Sequence, residues 1–438
     1  MIKIFLIQPA LEPDRRYGKR LMQTMFRPAP VTLPTIAACT PPEYDVEIID
    51  DAFMKIPYDA AIDLVGITGS TPFAVRMSEI GQKFRRRGIP VVVGGVYPTL
   101  CPEDAKKFAD AVVIGDAEDT WPALLADLKK GRLKPFYRSL RPRLTGRPFP
   151  KRHLLKRFRY ILPTSFQFTR GCIYACGFCT LRWQYGPTVR KTPIPAVVED
   201  IRQCRKHLLR PVIIWDDNLL NDKKYAADLF SAIKTCRIKW IGQSTIHIAD
   251  EPNILKLASE SGCHGLFIGI ESFSQNSLEE TNKNFNKVAT YKQKIQQIHD
   301  AGICIQAGIV FGFDHDGKDI FEQTVEAAEE IKIDTAAFSI LTPYPGTDLF
   351  RSYEAQGRIL TYDLSKYDSD HVVFRPKRMS PDELLEGWQW AQHQFYSVRS
   401  ALRRTFGGDA SLIRLATNLQ YNWFTRVRFP MGRNPARG

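Results

Sequence analysis

Apolar residues fall into two long alternations along the chain. In the first, the runs Lys3–Ile7, Asp45–Ile49, Leu64–Gly69, Pro90–Gly94 and Ala111–Ile114 are short and separated by amphipathic stretches. Strands that alternate with helices predict parallel βαβ units, so residues 1–130 are expected to form a doubly wound α/β sheet. Residues 131–160 break the pattern with Pro135, Pro142, Pro148 and Pro150 and read as a linker.

The second alternation starts at Thr164, with strands expected at Ser165–Phe168, Val212–Trp215, Ile241–Ile246, Gly265–Gly269, Cys304–Val310 and Thr335–Leu341. Helical stretches such as Pro195–His207, Tyr225–Thr235 and Phe321–Ile331 lie between them. Six βα units in residues 161–350 predict a partial, open (β/α)6 barrel of the TIM type. In such barrels chemistry gathers at the C-terminal ends of the strands. Residues 351–438 are expected to be a mainly helical extension with a basic tail. Within it Pro381–Arg404 reads as one long helix, with Ser380 as N-cap and Glu383 three residues on.

Chemistry enters directly after the first barrel strand. The run Arg170-Gly171-Cys172-Ile173-Tyr174-Ala175-Cys176-Gly177-Phe178-Cys179 spaces three cysteines as C-x3-C-x2-C. Three thiolates on one loop can hold three irons of a cubane cluster and leave the fourth open, whereas four close it. A zinc site would pair close cysteines with a second pair further on, and none exists here. The other six cysteines are scattered and read as small buried hydrophobes. Trp215-Asp216-Asp217-Asn218 ends the second barrel strand, where the carboxylates either point into the barrel mouth or cap the next helix. His247, His264 and His315 also lie near strand ends; a lone histidine is more often a hydrogen-bonded structural residue. No zinc-protease helix, phosphate loop or serine elbow is present.

The net charge of +14 is concentrated in two windows. Lys129 to Arg159 holds thirteen Lys or Arg and no acid, and Arg399 to Gly438 holds eight basic residues and one acid, Asp409. The remainder is net acidic. These windows read either as a solvated linker and tail or as a patch for anionic lipid or an anionic substrate. Nucleic acid is not expected, because aromatics are not interleaved with the basic residues. No apolar run reaches the roughly 18 residues that span a bilayer, and Met1 leads straight into a strand-like run. A cytoplasmic location, peripheral to a membrane if the basic patch binds lipid, is expected.

The cysteine loop and the strand ends, in this order, resemble the radical SAM superfamily. Residues 1–400 resemble its branch with an N-terminal B12 (cobalamin)-binding, flavodoxin-like domain. Gly269-Ile270-Glu271-Ser272 resembles that family's segment near the cofactor ribose and methionine. Gly308-Ile309-Val310-Phe311-Gly312 resembles the segment that lets adenine approach the backbone. Leu341-Thr342-Pro343-Tyr344-Pro345-Gly346-Thr347 resembles a signature frequent in this branch. Val65-Gly66-Ile67-Thr68-Gly69-Ser70, Gly94-Gly95 and Gly115-Asp116 match strand ends of the B12-binding fold.

The resemblance implies a [4Fe-4S] cluster on Cys172, Cys176 and Cys179, whose open iron binds S-adenosyl-L-methionine. Reductive cleavage then yields a 5′-deoxyadenosyl radical, used for cobalamin-dependent methylation of an unactivated carbon. It also implies Phe178, Gln243, Gly269, Glu271, Gly308 and Gly312 around S-adenosylmethionine, and Thr68, Ser70, Gly94 and Gly95 around cobalamin. Implied partners are an electron donor such as flavodoxin or ferredoxin and a small substrate, whether lipid, tetrapyrrole or natural-product intermediate. The chain departs from the branch in one respect. The loop Gln8-Pro9-Ala10-Leu11-Glu12-Pro13 lacks the Asp-x-His-x-x-Gly cobalt-ligating motif, so cobalamin binds without a protein His or not at all. Non-methylating oxidation, cyclisation or rearrangement, and a non-catalytic binding role, are the alternatives.

Overall fold

Two six-stranded parallel sheets carry the computed structural model, which describes residues 2–11, 27–204, 211–405, 412–429, 431–432 and 434–436. The first sheet runs in the order β2-β1-β3-β4-β5-β6. Its strands are β1 (Ile2–Gln8), β2 (Tyr44–Asp50), β3 (Leu64–Thr68), β4 (Val91–Gly94), β5 (Ala111–Ile114) and β6 (Phe136–Arg138). Both faces are covered, so the central strands β3, β4 and β5 are apolar runs rather than alternating. Phe5, Ile7, Val65, Ile67, Val91 and Val93 face the helix Ala74–Arg85 through Met77, Ile80 and Phe84. Ile4, Leu6, Leu64 and Val92 face Leu33, Ile36, Trp121 and Leu124 on the other side.

The segment read as a linker does more than connect. Phe136–Arg138 pairs in parallel with β5 and becomes the edge strand. Two of its arginines turn inward. Arg152 makes a two-pronged ion pair with Asp200 at 2.6 and 2.9 Å, bonds the Ser165 carbonyl and stacks on Phe166. Arg147 bonds the Gln167 carbonyl and faces Glu118. Removing one partner of a buried pair costs about 3–5 kcal/mol, so these two arginines tie the segment to both halves.

The second sheet runs β14-β13-β12-β11-β10-β7, all parallel. Its strands are β7 (Ser165–Phe166), β10 (Val212–Ile214), β11 (Trp240–Ser244), β12 (Cys263–Glu271), β13 (Cys304–Phe311) and β14 (Thr335–Ile340). Between β7 and β10, the short strands β8 (Thr169–Arg170) and β9 (Arg190–Lys191) pair antiparallel. The expected strand Ser165–Phe168 thus ends early, because the chain leaves the barrel to build this hairpin around the cysteine loop. The expected helix Pro195–His207 is seen at Ile194–Gln203, and residues 205–207 lie outside the described residues.

The barrel is open, and the C-terminal extension covers its exposed edge. Tyr396 Oη accepts from the Ala336 amide at 2.9 Å and donates to the Ala336 carbonyl at 2.6 Å. Trp388 Nε1 donates to the Phe338 carbonyl. The edge of β14 is thereby masked by side chains, which protects it from pairing with another chain. The segment expected as one helix over Pro381–Arg404 is two, Pro381–Phe395 and Val398–Thr405. The break falls where Tyr396 turns in to cap β14. The Ser380–Glu383 capping box is formed as expected.

Candidate functional site

The C-terminal ends of β1, β3, β4 and β5 surround a cavity of about 280 Å³. Thr68, Ser70, Gly94 and Gly95, the four positions expected to seat a corrinoid tail, all line it. Gln8 also lines it, and among the described residues no histidine does. Gly95 is required here for its backbone. It sits at φ 100°, ψ −163°, a region essentially reserved for glycine, and a Cβ there would lie 2.7 Å from Thr68 Oγ1 and 2.9 Å from the Gly69 amide nitrogen. The small residues let the ends of β3 and β4 touch, which keeps the crevice open at the strand tips where doubly wound folds bind ligands.

The far wall of the cavity comes from the barrel, through Gln167, Arg170, Gln184 and Tyr185. Arg170 reaches across the domain boundary. It pairs with Glu118 through both guanidinium nitrogens at 2.5 and 3.1 Å and with Asp116 at 3.0 Å. Arg190 of β9 pairs with the same Asp116. Burial pushes the Glu118 carboxyl up, but Arg170 and Arg147 overcome it and hold the group at about 2.

The cysteine loop begins one residue after Arg170, and polar residues at the strand ends hold its backbone. The Gly171 amide donates to Asp217 at 2.9 Å, Asn221 donates to the Gly171 carbonyl, and the Ile173 amide donates to Asn221. Asp216 accepts from the Phe168 amide and the Thr169 hydroxyl. Burial raises these two carboxyls, Asp216 to about 6 and Asp217 to about 7. They neither stand free in the barrel mouth nor cap the next helix; Asp222 does that, accepting from the Tyr225 amide. From the other side the Gly177 amide donates to the Thr281 carbonyl.

The three thiols fit an iron–sulfur cluster by their chemistry. Burial raises all three, Cys176 to about 11 and Cys179 to about 12, so each is a neutral thiol until a cation draws it to thiolate. None is in a disulfide. Among the described residues no three His, Cys, Asp or Glu side chains converge on one point to hold a single metal ion. A cubane does not ask for that, since each thiolate takes a different corner iron. Tyr174 of the loop stacks on Phe285 with ring centroids 3.9 Å apart, closing one flank.

The residues expected around the nucleoside lie on neighbouring strands. Gln243 is half-buried on β11, and Gly269 is in register with Gly308 across β12 and β13. Glu271 sits at φ 67°, where the register shifts, and forms a buried ion pair with Lys283. Burial works against the Lys283 ammonium, but Glu271 and the thiols of Cys176 and Cys179 more than compensate. Phe178 packs near Phe313, with centroids 6.1 Å apart. Gly308 and Gly312 are also constrained by packing. A Cβ at Gly308 would lie 2.7 Å from the Phe267 ring, and one at Gly312 would lie 2.9 Å from Leu384. Gly312 in addition sits at φ 103°, a backbone conformation that favours glycine.

Of the three histidines, His247 is tied to Asp250 and His315 faces Glu280, while His264 is exposed. Sequence reasoning missed Lys283, Glu118, Arg170 and Tyr185, and marked Asp116 only as a strand end. Arg170 carried one readable signal, its place immediately before the loop. Lys283 carried none, because twelve residues separate it from Glu271.

Comparison with known proteins agrees with this geometry. The sequence model of the Radical SAM superfamily matches residues 166–345, and that of the B12 binding domain matches residues 18–125. A bacteriochlorophyllide d C-12(1)-methyltransferase of Chlorobaculum tepidum is 29% identical over 92% of this chain and 90% of that protein. A hopanoid C-2 methylase of Rhodopseudomonas palustris is 26% identical over 86% of this chain and 72% of that protein. Among solved structures, the radical S-adenosylmethionine methyltransferase TsrM of Kitasatospora setae, with cobalamin and a [4Fe-4S] cluster bound, shares the fold. Its TM-score is 0.70 at 14% identity, over 98% of this chain and 99% of that one.

Proposed function

We propose a cobalamin-dependent C-methyltransferase, because the chain belongs to the radical SAM superfamily, in the branch that carries an N-terminal B12-binding domain. The observation that carries the reading is that one arginine, Arg170, joins the wall of the strand-tip cavity to the cysteine loop. A corrinoid and a cluster seated there would share one reaction chamber. When bound, the cluster supplies the electron that divides S-adenosylmethionine into methionine and a 5′-deoxyadenosyl radical, and the corrinoid carries the methyl group.

In this reading residues 1–130 seat the corrinoid with Thr68, Ser70, Gly94 and Gly95 around its tail, and residues 131–160 connect. Residues 161–350 hold the cluster on Cys172, Cys176 and Cys179. Gln243, Glu271 and the backbone of Gly269, Gly308 and Gly312 orient S-adenosylmethionine, with Phe178 packing near its adenine. Lys283 fixes the Glu271 carboxylate, which would otherwise be a buried charge without a partner. That no histidine among the described residues lines the cavity fits a corrinoid bound without a protein ligand to cobalt from below.

The relatives named for a bacteriochlorophyllide and a hopanoid support a tetrapyrrole or lipid-like substrate. A one-electron carrier of the flavodoxin or ferredoxin type would supply the electron. No helix among the described residues is long and apolar enough to cross a membrane. Contact with a membrane surface would instead use the C-terminal helix Leu412–Arg428, whose Leu419, Trp423 and Val427 are exposed at four-residue spacing.

The test is an anaerobic assay of reconstituted protein with methyl-labelled S-adenosylmethionine and candidate tetrapyrroles and lipids. Label in a carbon-bound methyl group of product, with 5′-deoxyadenosine released, is the expected result. Release of 5′-deoxyadenosine with product formed but unlabelled would replace methylation by another radical reaction. No iron–sulfur absorbance after reconstitution would remove the enzyme reading altogether.

A further inference from the structure

At Arg170 the contact between the two halves is ionic, although elsewhere apolar packing joins them, as where Leu364 packs on the first core. Arg170 and Asp116 are each only 7% exposed, and Glu118 has a side-chain exposure of 14%. Burying such charges costs solvation, and apolar replacements of the same volume are often no less stable. What a charged cluster adds is direction: a guanidinium fork meets carboxylates in one orientation. This cluster sits at a particular place. Asp116 follows Gly115 of the cavity wall, and Arg170 precedes Gly171 and Cys172. Arg190, the other half of the hairpin that brackets the cysteine loop, lands on the same Asp116. Gly171 adds no slack, since a Cβ there would meet the Thr188 carbonyl oxygen at 2.8 Å. From cavity wall to first thiol the path is Gly115, Asp116, Arg170, Gly171, Cys172.

We propose that Arg170, clamped by Asp116 and Glu118, is a positioning residue that fixes the distance between the cluster and the corrinoid. Through that distance it sets how often cleavage of S-adenosylmethionine ends in methyl transfer. The proposal rests on the methyltransferase reading for its second half only. An interface that merely held the domains together would tolerate the loss of one ion pair without changing this ratio.

The experiment compares wild type, Glu118→Gln and Arg170→Lys as holoenzymes, with iron and corrinoid quantified. Pulsed electron paramagnetic resonance reports the spacing of cob(II)alamin and reduced cluster, and product analysis gives the ratio of 5′-deoxyadenosine to methylated product. The expected result is a single narrow spacing in wild type, broadened in Glu118→Gln, with the ratio rising threefold or more. Arg170→Lys keeps the charge but loses the fork and is expected between the two. An unchanged spacing and ratio in both variants would overturn the proposal, as would a fall in cofactor content with the spacing preserved. If wild type makes no methylated product, the function reading fails while the spacing still decides this one.

Discussion

Gly95→Ala is the sharpest perturbation the structure offers. Its backbone lies at φ 100°, ψ −163°, where holding an alanine costs on the order of 1–3 kcal/mol. The added methyl would lie 2.7 Å from Thr68 Oγ1 and 2.9 Å from both Gly69 N and O. Two of these three neighbours are backbone atoms of the adjacent strand end, so relief requires the strand tip to move. Overpacking of this kind costs a further amount of about 1–3 kcal/mol. Together the loss is about 2–6 kcal/mol, and the shift would fall on Thr68 and Gly69, which line the cavity. Gly94→Ala is the internal control. Its methyl would meet Val113 Cβ at 3.5 Å, an ordinary contact, so the change is expected within about 1 kcal/mol. The assay is urea unfolding of both variants beside a titration with hydroxocobalamin. Gly95→Ala should unfold at lower urea and bind corrinoid weakly, while Gly94→Ala keeps wild-type stability. Equal stability of the two variants would overturn this, because only Gly95 of the two neighbouring glycines sits at a backbone conformation closed to alanine.

Two other outcomes are expected. Cys176→Ala should lose S-adenosylmethionine cleavage and the visible cluster absorbance while its far-ultraviolet circular dichroism matches wild type; retained cleavage would refute the ligand assignment. Glu118 should give a pH signature: its folded pKa is held near 2 by Arg170 and Arg147 against the burial that raises it. A depressed folded value adds stability above the unfolded value of about 4.3, lost as pH falls from there toward 2; the two-unit shift is worth about 3 kcal/mol. The stability gap between wild type and Glu118→Gln, measured by urea unfolding, should therefore be full at pH 7 and narrow below pH 4.5.

Much of the site was legible because its signals are local. The cysteine spacing lies within ten residues, and each small-residue cluster sits at the end of its own apolar run. Partner choice was not legible. Asp216 and Asp217 looked like mouth-facing or capping carboxylates, yet they hold the backbone just after β7 and at the start of the cysteine loop, from the next strand over. Nor did the sequence show that Phe267 and Leu384, from other segments, press on Gly308 and Gly312. The basic stretch before the barrel read as a solvated linker or a charged patch, and two of its arginines, Arg147 and Arg152, instead face carboxylates from the two halves, Glu118 and Asp200.

The two parallel sheets follow from the sequence alone, and the cysteine spacing proposes the cluster ligands. Each of these depends on periodicity or spacing within one segment, which chain geometry alone translates into structure. Only the tertiary structure decided that Lys283 neutralises Glu271, that Tyr396 splits the long helix to cap β14, and that Arg170 joins cavity to cysteine loop. In each case a side chain must satisfy a buried charge or an unpaired backbone group on a distant segment. Which group that is depends on how the two halves pack, because desolvation penalises every charge or edge left alone inside.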